Sequence, residues 1–155
     1  MKQAQSCAAL QLDNQLCFAL HSTSLLMTKA YKPLLQSIGL TYPQYLALLA
    51  LWERDGQRVS DLGARLFLDS GTLTPLLKRL EAANLVTRTR SAEDERVVHV
   101  GLTASGRKLR KKAEGIPAAM SCALGLNGDQ IAALRDPLRK VLARLHHDSA
   151  GDEEG

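Results

Sequence analysis

The sequence predicts a mainly α-helical protein with one small β-hairpin, arranged as a winged helix-turn-helix. Three observations predict this fold. Aromatic residues make up only 4% of the 155-residue chain, so its core must be built from Leu, Ala and Val, which favours packed helices. Two short helical patterns, at residues 61–68 and 70–83, are joined by a tight turn. Residues 85–102 follow directly with the pattern of a hairpin, which is the place of the wing in this fold.

Two longer segments ahead of the helix-turn-helix are also predicted to be helical. Apolar residues recur every three or four positions over residues 12–31, with Asp13 as the candidate N-cap and Pro33 interrupting the pattern. Residues 41–44, Thr-Tyr-Pro-Gln, have the form of a capping box with proline in the first turn. They predict a second helix that ends near Arg54.

The helix-turn-helix is predicted from Ser60, a candidate cap for the helix at residues 61–68, and from the leucine spacing of residues 70–83. Because those leucines share one side of the second helix, its other side is exposed. That side carries polar groups suited to base edges and cations suited to phosphates: Asp69, Ser70, Thr72, Thr74, Lys78 and Arg79. For this segment alone, an ordinary capped amphipathic helix is the simpler interpretation.

The hairpin strengthens the DNA-binding interpretation. Its strands carry β-branched residues, and its tip holds three acids at residues 93–95. Arg88, Arg90 and Arg96 surround this tip, and an arginine at a narrow tip has the size and charge that the minor groove attracts. Asp94 lies two residues from Arg96 and is placed to pair with it. Both interpretations stay open: Asp94 orients the wing, and Arg96 contacts DNA.

Two helices are predicted after the hairpin. Thr103 caps a long helix that is kinked or interrupted at Pro117 and ends near Gly125. Asn127 caps a last helix that runs to about His147. Together with the first helix, these exceed what a compact DNA-reading domain needs. Their apolar stripes require partners, which favours a dimer.

Charge is distributed unevenly along the chain, whose formal net charge is +4. Residues 59–112 contain eleven Lys and Arg against six Asp and Glu, while residues 148–155 contain four acids and no Lys or Arg. The basic middle fits either a polyanion partner or the solvated surface of ordinary helices. No apolar run approaches the roughly 20 residues of a membrane span, and no secretory signal is visible, so we expect a cytoplasmic protein with no membrane partner.

The three cysteines are Cys7, Cys17 and Cys122. They lack the close spacing of a zinc site, and a structural disulfide is not expected in a reducing cytosol. Composition leaves each as a small buried residue, a bystander or a reactive thiol. Cys7, near the N-terminus, is expected to be incidental.

Four segments together resemble the winged-helix MarR repressors. They are residues 69–81 (Asp-Ser-Gly-Thr-Leu-Thr-Pro-Leu-Leu-Lys-Arg-Leu-Glu), 84–88 (Asn-Leu-Val-Thr-Arg), 94–96 (Asp-Glu-Arg) and 102–106 (Leu-Thr-Ala-Ser-Gly). The resemblance implies a homodimer with interlocked terminal helices, in which each recognition helix enters one major groove of palindromic double-stranded DNA. It implies one domain over residues 1–155, with dimerisation helices at about 12–38 and 104–147 and the winged helix-turn-helix at about 42–102.

Within that family, the N-terminal half resembles the organic-hydroperoxide-sensing repressors of the OhrR type. The matching segments are residues 12–18 (Leu-Asp-Asn-Gln-Leu-Cys-Phe), 30–33 (Ala-Tyr-Lys-Pro) and 40–45 (Leu-Thr-Tyr-Pro-Gln-Tyr). The resemblance implies that Cys17 is the peroxide-reactive thiol and that Tyr31 and Tyr42 hydrogen-bond it. It also implies that Cys122 is the resolving cysteine, which forms a disulfide with Cys17 of the other subunit. His21 departs from the pattern, because some members have another tyrosine there.

The residues around Cys17 suit this chemistry without the resemblance. A thiolate near a helix N-terminus is stabilised by free N–H groups and by the helix dipole. The neighbouring Leu16, Phe18 and Leu20 suit an alkyl or lipid hydroperoxide. Oxidation gives a sulfenic acid, which condenses readily with a second thiol. Inert packing is the other interpretation, and for Cys122 it means a small buried residue among alanines.

We therefore predict a dimeric repressor that binds palindromic DNA when reduced and leaves it when an organic hydroperoxide oxidises Cys17. The peroxide is a reactant, so we expect no cofactor and no metal. One alternative is a repressor of the same fold that is controlled by reversible binding of a small phenolic ligand. Another is a thiol peroxidase that uses Cys17 and Cys122, but this would leave residues 70–96 without a role.

Overall fold

The computed structural model describes residues 8–151, with side chains described up to His147, and divides into two compact units, one up to Glu114 and one from Gly115 onward. The first unit contains a 3-10 turn at Leu12–Asn14 and helices α1 (Leu16–Gln36), α2 (Tyr42–Glu53), α3 (Val59–Leu66), α4 (Ser70–Ala82) and α5 (Ala104–Ala113). Its strands are β1 (Gln57–Arg58), β2 (Val86–Arg90) and β3 (Val98–Leu102). The second unit contains α6 (Ile116–Leu124) and α7 (Gly128–Gly151). The predicted mainly α-helical fold with a winged helix-turn-helix is confirmed.

Helix α1 starts and ends later than the sequence predicts. Asp13 is not its N-cap, because Asp13 lies in the separate 3-10 turn. The side-chain amide of Gln15 donates to the Ala9 carbonyl at 2.6 Å, which ties the residues before α1 into a turn of their own. Pro33 does not interrupt the helix either. It is exposed, and the helix continues for three residues because Leu35 is fully buried and anchors the last turn.

Helix α2 provides much of the core of the first unit. Its predicted capping box is confirmed: Thr41 Oγ1 accepts from the Gln44 N–H at 3.4 Å, and Gln44 Oε1 accepts from the Thr41 N–H at 2.9 Å. Beyond its other end, the buried side chain of Gln57 donates to the Ala50 carbonyl at 2.9 Å, which satisfies a buried polar group. The buried residues of α2 are Tyr45, Ala47, Leu48, Ala50 and Leu51. The buried side chains hold α2 in the core, and the hydrogen bonds described above hold its two ends.

Helices α3 and α4 form the predicted helix-turn-helix, with one correction. Ser60 does not cap α3, because α3 begins one residue earlier, directly after the strand β1. In the turn, Phe67 takes the left-handed conformation (φ 55°), and the Leu68 N–H donates back to the Gly63 carbonyl at 3.0 Å. Helix α4 starts at Ser70 as predicted, and the four leucines expected on its inner side are buried: Leu73, Leu76, Leu77 and Leu80.

The predicted hairpin is confirmed, and it belongs to a three-stranded antiparallel sheet with the strand order β1-β3-β2. Strands β2 and β3 pair from Val86 opposite Leu102 to Arg90 opposite Val98. Strand β1 pairs with the other edge of β3, with Gln57 opposite Val100. The sequence did not predict β1, because a strand of two residues has no alternation to recognise.

The helices after the sheet follow the prediction closely. The predicted interruption is confirmed but lies just ahead of Pro117, which occupies the first turn of α6. Gly125 ends α6 in the left-handed conformation (φ 66°). The Asn127 side chain caps α7 by accepting from the Gln130 N–H at 2.9 Å, and α7 runs to Gly151. Over residues 8–151, no helix is long and apolar enough to cross a bilayer.

Candidate DNA interface and thiol site

The outer side of α4 presents most of the polar residues that the sequence predicts for DNA contact. Ser70 and Thr72 are exposed in the first turn, and Thr74 is half-buried. Lys78 and Arg79 are exposed further along the helix. Neither cation forms an ion pair with any described residue of the chain. This side of α4 is therefore open for short polar contacts at its N-terminal end and for phosphate contacts beyond it.

Two residues of the predicted DNA-contact set have structural partners. Asp69 is the N-cap of α4, and its Oδ1 accepts from the Thr72 N–H at 2.8 Å. Arg88 on β2 donates from Nη2 and Nε to Glu81 Oε2, at 2.8 and 3.1 Å. Because the Arg88 guanidinium donates to the Glu81 carboxylate, the pKa of Glu81 lies below its usual value. Arg88 thus joins the strand β2 to α4, and its guanidinium is already paired.

At the wing tip, Asp94 pairs with Arg96 while the Arg96 side chain stays exposed. Its Oδ1 accepts from the Arg96 Nε at 3.2 Å and from the Arg96 backbone N–H at 3.0 Å, so Asp94 does orient the tip. The Arg96 side chain is nevertheless 92% exposed, which leaves most of the guanidinium available. Arg90 donates from Nη1 to the Glu95 carbonyl at 3.1 Å and steadies the same loop. Arg96 is therefore exposed on a loop whose backbone is held by hydrogen bonds from Arg90 and to Asp94.

Cys17 is the second residue of α1 and is exposed. At that position the backbone N–H groups of the first turn have no carbonyl within the helix to bond. Leu16 and Leu20 are exposed on the adjoining surface, and His21 is exposed one turn further along. In the single subunit the thiol is thus exposed next to exposed apolar side chains.

The two tyrosines that the resemblance assigns to the thiol lie together, but far from Cys17 of the same chain. The Tyr31 and Tyr42 ring centroids are 4.8 Å apart. Tyr31 follows Cys17 by fourteen residues on one continuous helix, which corresponds to about 21 Å along its axis. Any hydrogen bond from these phenols to a Cys17 sulfur must therefore join two subunits.

The tyrosine pair belongs to a larger aromatic cluster that the sequence did not reveal. Tyr45 lies 5.9 Å from Tyr31, and Trp52 lies 6.5 Å from Tyr45, between ring centroids. Burial raises the pKa of Tyr31, Tyr42 and Tyr45 above the usual value, and the neighbouring phenols raise the pKa of Tyr31 and Tyr45 further. All three phenols are therefore protonated at neutral pH and able to donate a hydrogen bond. The signal missed was the spacing of Tyr42, Tyr45 and Trp52 on one helix.

Cys122 lies near the C-terminal end of α6 and is exposed in the single subunit. Both Cys17 and Cys122 are free thiols in the structure. Cys7 lies outside the described residues.

Comparison with known proteins identifies the family. The family model of the transcriptional regulator SarA/Rot matches residues 29–113, more than half of the chain. The organic hydroperoxide resistance transcriptional regulator of Bacillus subtilis (strain 168) is 49% identical over 137 residues, covering 88% of this chain and 93% of that protein. The chain belongs to the SarA/Rot and MarR group of winged-helix regulators. It is therefore a transcriptional regulator and not an enzyme, which excludes the thiol peroxidase alternative.

Solved structures of another MarR-type regulator share this fold. The crystal structure of AbfR of Staphylococcus epidermidis is 35% identical to the chain, with a TM-score of 0.75 over 95% of this chain and 99% of AbfR. Reduced AbfR bound to DNA is 37% identical, with a TM-score of 0.72 over 94% and 99%. The disulfide form of AbfR is 35% identical, with a TM-score of 0.61 over 95% of both chains. MarR-type regulators are dimers that bind DNA, which agrees with the predicted homodimer and DNA partner.

Proposed function

We propose that the protein is a dimeric repressor that binds a palindromic operator when reduced and releases it when an organic hydroperoxide oxidises Cys17. The observation that carries this proposal is the exposed Cys17 thiol in the first turn of α1, in a chain of the MarR type. Two relatives support it: a regulator of organic hydroperoxide resistance, and AbfR, which forms a disulfide.

The DNA contacts follow from the exposed side chains. Ser70, Thr72 and Thr74, at the start of α4, read base edges in the major groove. Lys78, Arg79 and Arg90 neutralise phosphates, and Arg96 enters the minor groove from the wing tip. Two copies related by a twofold axis place two α4 helices in successive major grooves, about 34 Å apart, which requires a palindromic site.

The reaction begins at the Cys17 sulfur. The thiolate attacks the outer oxygen of the hydroperoxide, a sulfur–oxygen bond forms, and the oxygen–oxygen bond breaks. The alkoxide leaves and takes up a proton, so the products are the Cys17 sulfenic acid and an alcohol. The exposed Leu16 and Leu20 favour an organic hydroperoxide over a small hydrated one.

Tyr31 and Tyr42 assist from the partner subunit. They are too far along the chain to reach Cys17 of their own subunit. Their raised pKa values keep both phenols protonated, so each donates a hydrogen bond to the thiolate across the dimer interface. Oxidation of the sulfur removes its charge and weakens these hydrogen bonds.

Cys122 completes the reaction. Its thiolate attacks the sulfenyl sulfur of Cys17 in the other subunit, a disulfide forms, and the sulfenic oxygen leaves as water once it is protonated. Both thiols lie on the surface of the single subunit, where a second subunit can meet them. The new covalent link changes the separation of the two α4 helices, and a shift of a few ångströms is enough to lose the match to two grooves.

The proposed function is tested by operator binding before and after treatment with cumene hydroperoxide. We expect the parent protein and Cys7→Ser, the matched control, to release the operator on treatment. Cys17→Ser is expected to bind the operator when untreated and to stay bound when treated. Release of Cys17→Ser at the parent's peroxide concentration would contradict the proposal.

The pairing of Cys17 with Cys122 across subunits is tested in mixed dimers. A Cys17→Ser chain and a Cys122→Ser chain, carrying different tags, are co-expressed and treated with cumene hydroperoxide. An intersubunit disulfide joins the two chains, because one retains Cys17 and the other retains Cys122. If the pairing were within one subunit, neither chain would hold both thiols, and the covalent heterodimer would be missing on a non-reducing gel.

A further inference from the structure

Asp55 connects the end of α2 to the base of the wing. Its Oδ1 accepts from the Leu102 N–H at 2.7 Å and from the Gly56 N–H at 2.8 Å. Its Oδ2 accepts from Arg107 Nη2 at 2.8 Å. Strand β1 reaches only as far as Gln57 on the edge of β3, and in this register Asp55 is opposite Leu102. The carboxylate thus replaces the missing strand partner at the last residue of β3.

Trp52 holds the same region one turn earlier on α2. Its Nε1 donates to the Gly106 carbonyl at 2.9 Å, in the first turn of α5. Thr103, which caps α5, donates from its hydroxyl to the Asn84 carbonyl at 2.7 Å and from its backbone N–H to the Leu85 carbonyl at 3.1 Å. The base of the wing is therefore fixed to α2 on one side and to the segment after α4 on the other.

Leu102, where Asp55 holds β3, is six residues from Arg96 at the wing tip. That separation is about 20 Å of extended chain at about 3.3 Å per residue. A tilt of about 10° at the base moves the tip by about 3.5 Å over this length. The width of the minor groove is about 6 Å, so a small change at the clamp decides whether Arg96 reaches it.

We propose that Asp55 is a positioning residue for Arg96: by clamping the base of β3 to the end of α2, it sets the angle at which the wing presents its arginine to DNA. This proposal rests on the proposed function, which assigns Arg96 to the minor groove. Helix α2 carries Tyr42 at its other end, so it joins the tyrosine pair to the wing.

The proposal is tested with a double-mutant cycle on the reduced, full-length protein. Operator affinity is measured by fluorescence anisotropy for the parent, Asp55→Ala, Arg96→Ala and the double variant. Each single variant is expected to weaken binding about tenfold, and the double variant is expected to bind no more weakly than either single variant, because all three lack the same contact. The dependence of log affinity on log salt falls by about one in all three.

Asp129→Ala is the matched control. Asp129 is an exposed acid in the first turn of α7, so the variant removes the same charge and leaves the hydrogen bonds of Asp55 in place, and its operator affinity is expected to match the parent's. Thermal unfolding of each variant shows whether it is folded at the assay temperature. If Asp55→Ala is not folded, Asp55→Asn and Arg107→Gln, which weaken the clamp and leave the backbone unchanged, replace it in the cycle.

The outcomes separate this proposal from the one on which it rests. If Arg96→Ala weakens binding equally in the parent and in the Asp55 variant, Asp55 does not act through Arg96 and the proposal is wrong, while the DNA contact stands. If Arg96→Ala has no effect in the parent, the minor-groove contact is wrong, and this proposal fails with it.

Discussion

Replacing Gly106 with alanine is expected to destabilise the protein, although the same change stabilises most exposed helices. Gly106 is buried in the first turn of α5, and a Cβ at this position would lie 2.1 Å from the Leu85 carbonyl oxygen. Carbon and carbonyl oxygen approach to about 3.3 Å at the closest in ordinary contacts, so the two backbones must separate by about 1 Å. The Leu85 carbonyl accepts from Thr103, and the Gly106 carbonyl accepts from Trp52. Neither backbone moves without stretching one of these hydrogen bonds.

The change in the free energy of unfolding follows from one favourable and two unfavourable contributions. Alanine is favoured over glycine inside a helix by about 1 kcal/mol. Overpacking a buried position costs about 1–3 kcal/mol, and stretching a hydrogen bond costs about 1 kcal/mol more. The expected net loss is about 2 kcal/mol, which lowers the Tm of a chain of this size by about 4–8 °C.

Thermal unfolding of the reduced protein, followed by circular dichroism, measures this effect. The matched control is Gly128→Ala, at the first residue of α7, where a Cβ meets nothing within 4 Å. We expect the control to leave the Tm unchanged or slightly raised. A Gly106→Ala protein as stable as the parent would refute the close packing of α5 against the segment after α4.

Three other predictions concern ionisable groups. Glu81→Gln removes the carboxylate that binds Arg88. We expect operator binding, measured in an anisotropy titration, to weaken about two- to threefold, which is the effect of losing a surface ion pair. Unchanged affinity would mean that the pair does not hold the wing. Burial raises the pKa of Asp55, but the hydrogen bonds from Leu102, Arg107 and Gly56 outweigh burial and leave the pKa lowered. The stability that the Asp55 carboxylate adds to the fold is therefore complete at neutral pH and is lost as the pH falls below about 4. The Tm difference between the parent and Asp55→Asn should therefore shrink from pH 7 to pH 3, and a constant difference would contradict it. All three tyrosines of the chain have raised pKa values, so phenolate absorbance should appear only above pH 10. The free energy of unfolding should fall as the pH rises through that range. Ionisation below pH 10 would count against the buried cluster.

Regular patterns and caps allowed most of the fold to be predicted from the sequence. The leucine spacing of α4, the Thr41 capping box of α2 and the Asn127 cap of α7 each rest on residues close in sequence, and each is confirmed. The start of α1 was mispredicted at Asp13, because the side chain of Gln15 bonds a carbonyl six residues earlier, a contact with no periodic signal. Strand β1 was missed because its two residues are a strand only through β3.

The candidate site was less accessible to sequence reasoning. The exposed face of α4 and the exposed Arg96 follow from helical spacing and from the hairpin pattern. The Arg88 partner, Glu81, lies across a helix–strand boundary. Two partners of Asp55, Leu102 and Arg107, lie about fifty residues away, so neither residue's pairing has a local pattern. The tyrosine pair was found only through the resemblance, since two tyrosines eleven residues apart on different helices give no sign of contact.

The most direct measurement of the central claim compares operator release with the state of the Cys17 sulfur in the same sample. Reduced protein bound to a fluorescent operator is titrated with cumene hydroperoxide, and at each point the released fraction is read by anisotropy and the Cys17–Cys122 linked peptide is quantified by mass spectrometry. The two fractions are expected to rise together over the whole titration. Release of the operator while Cys17 remains a free thiol would contradict the account.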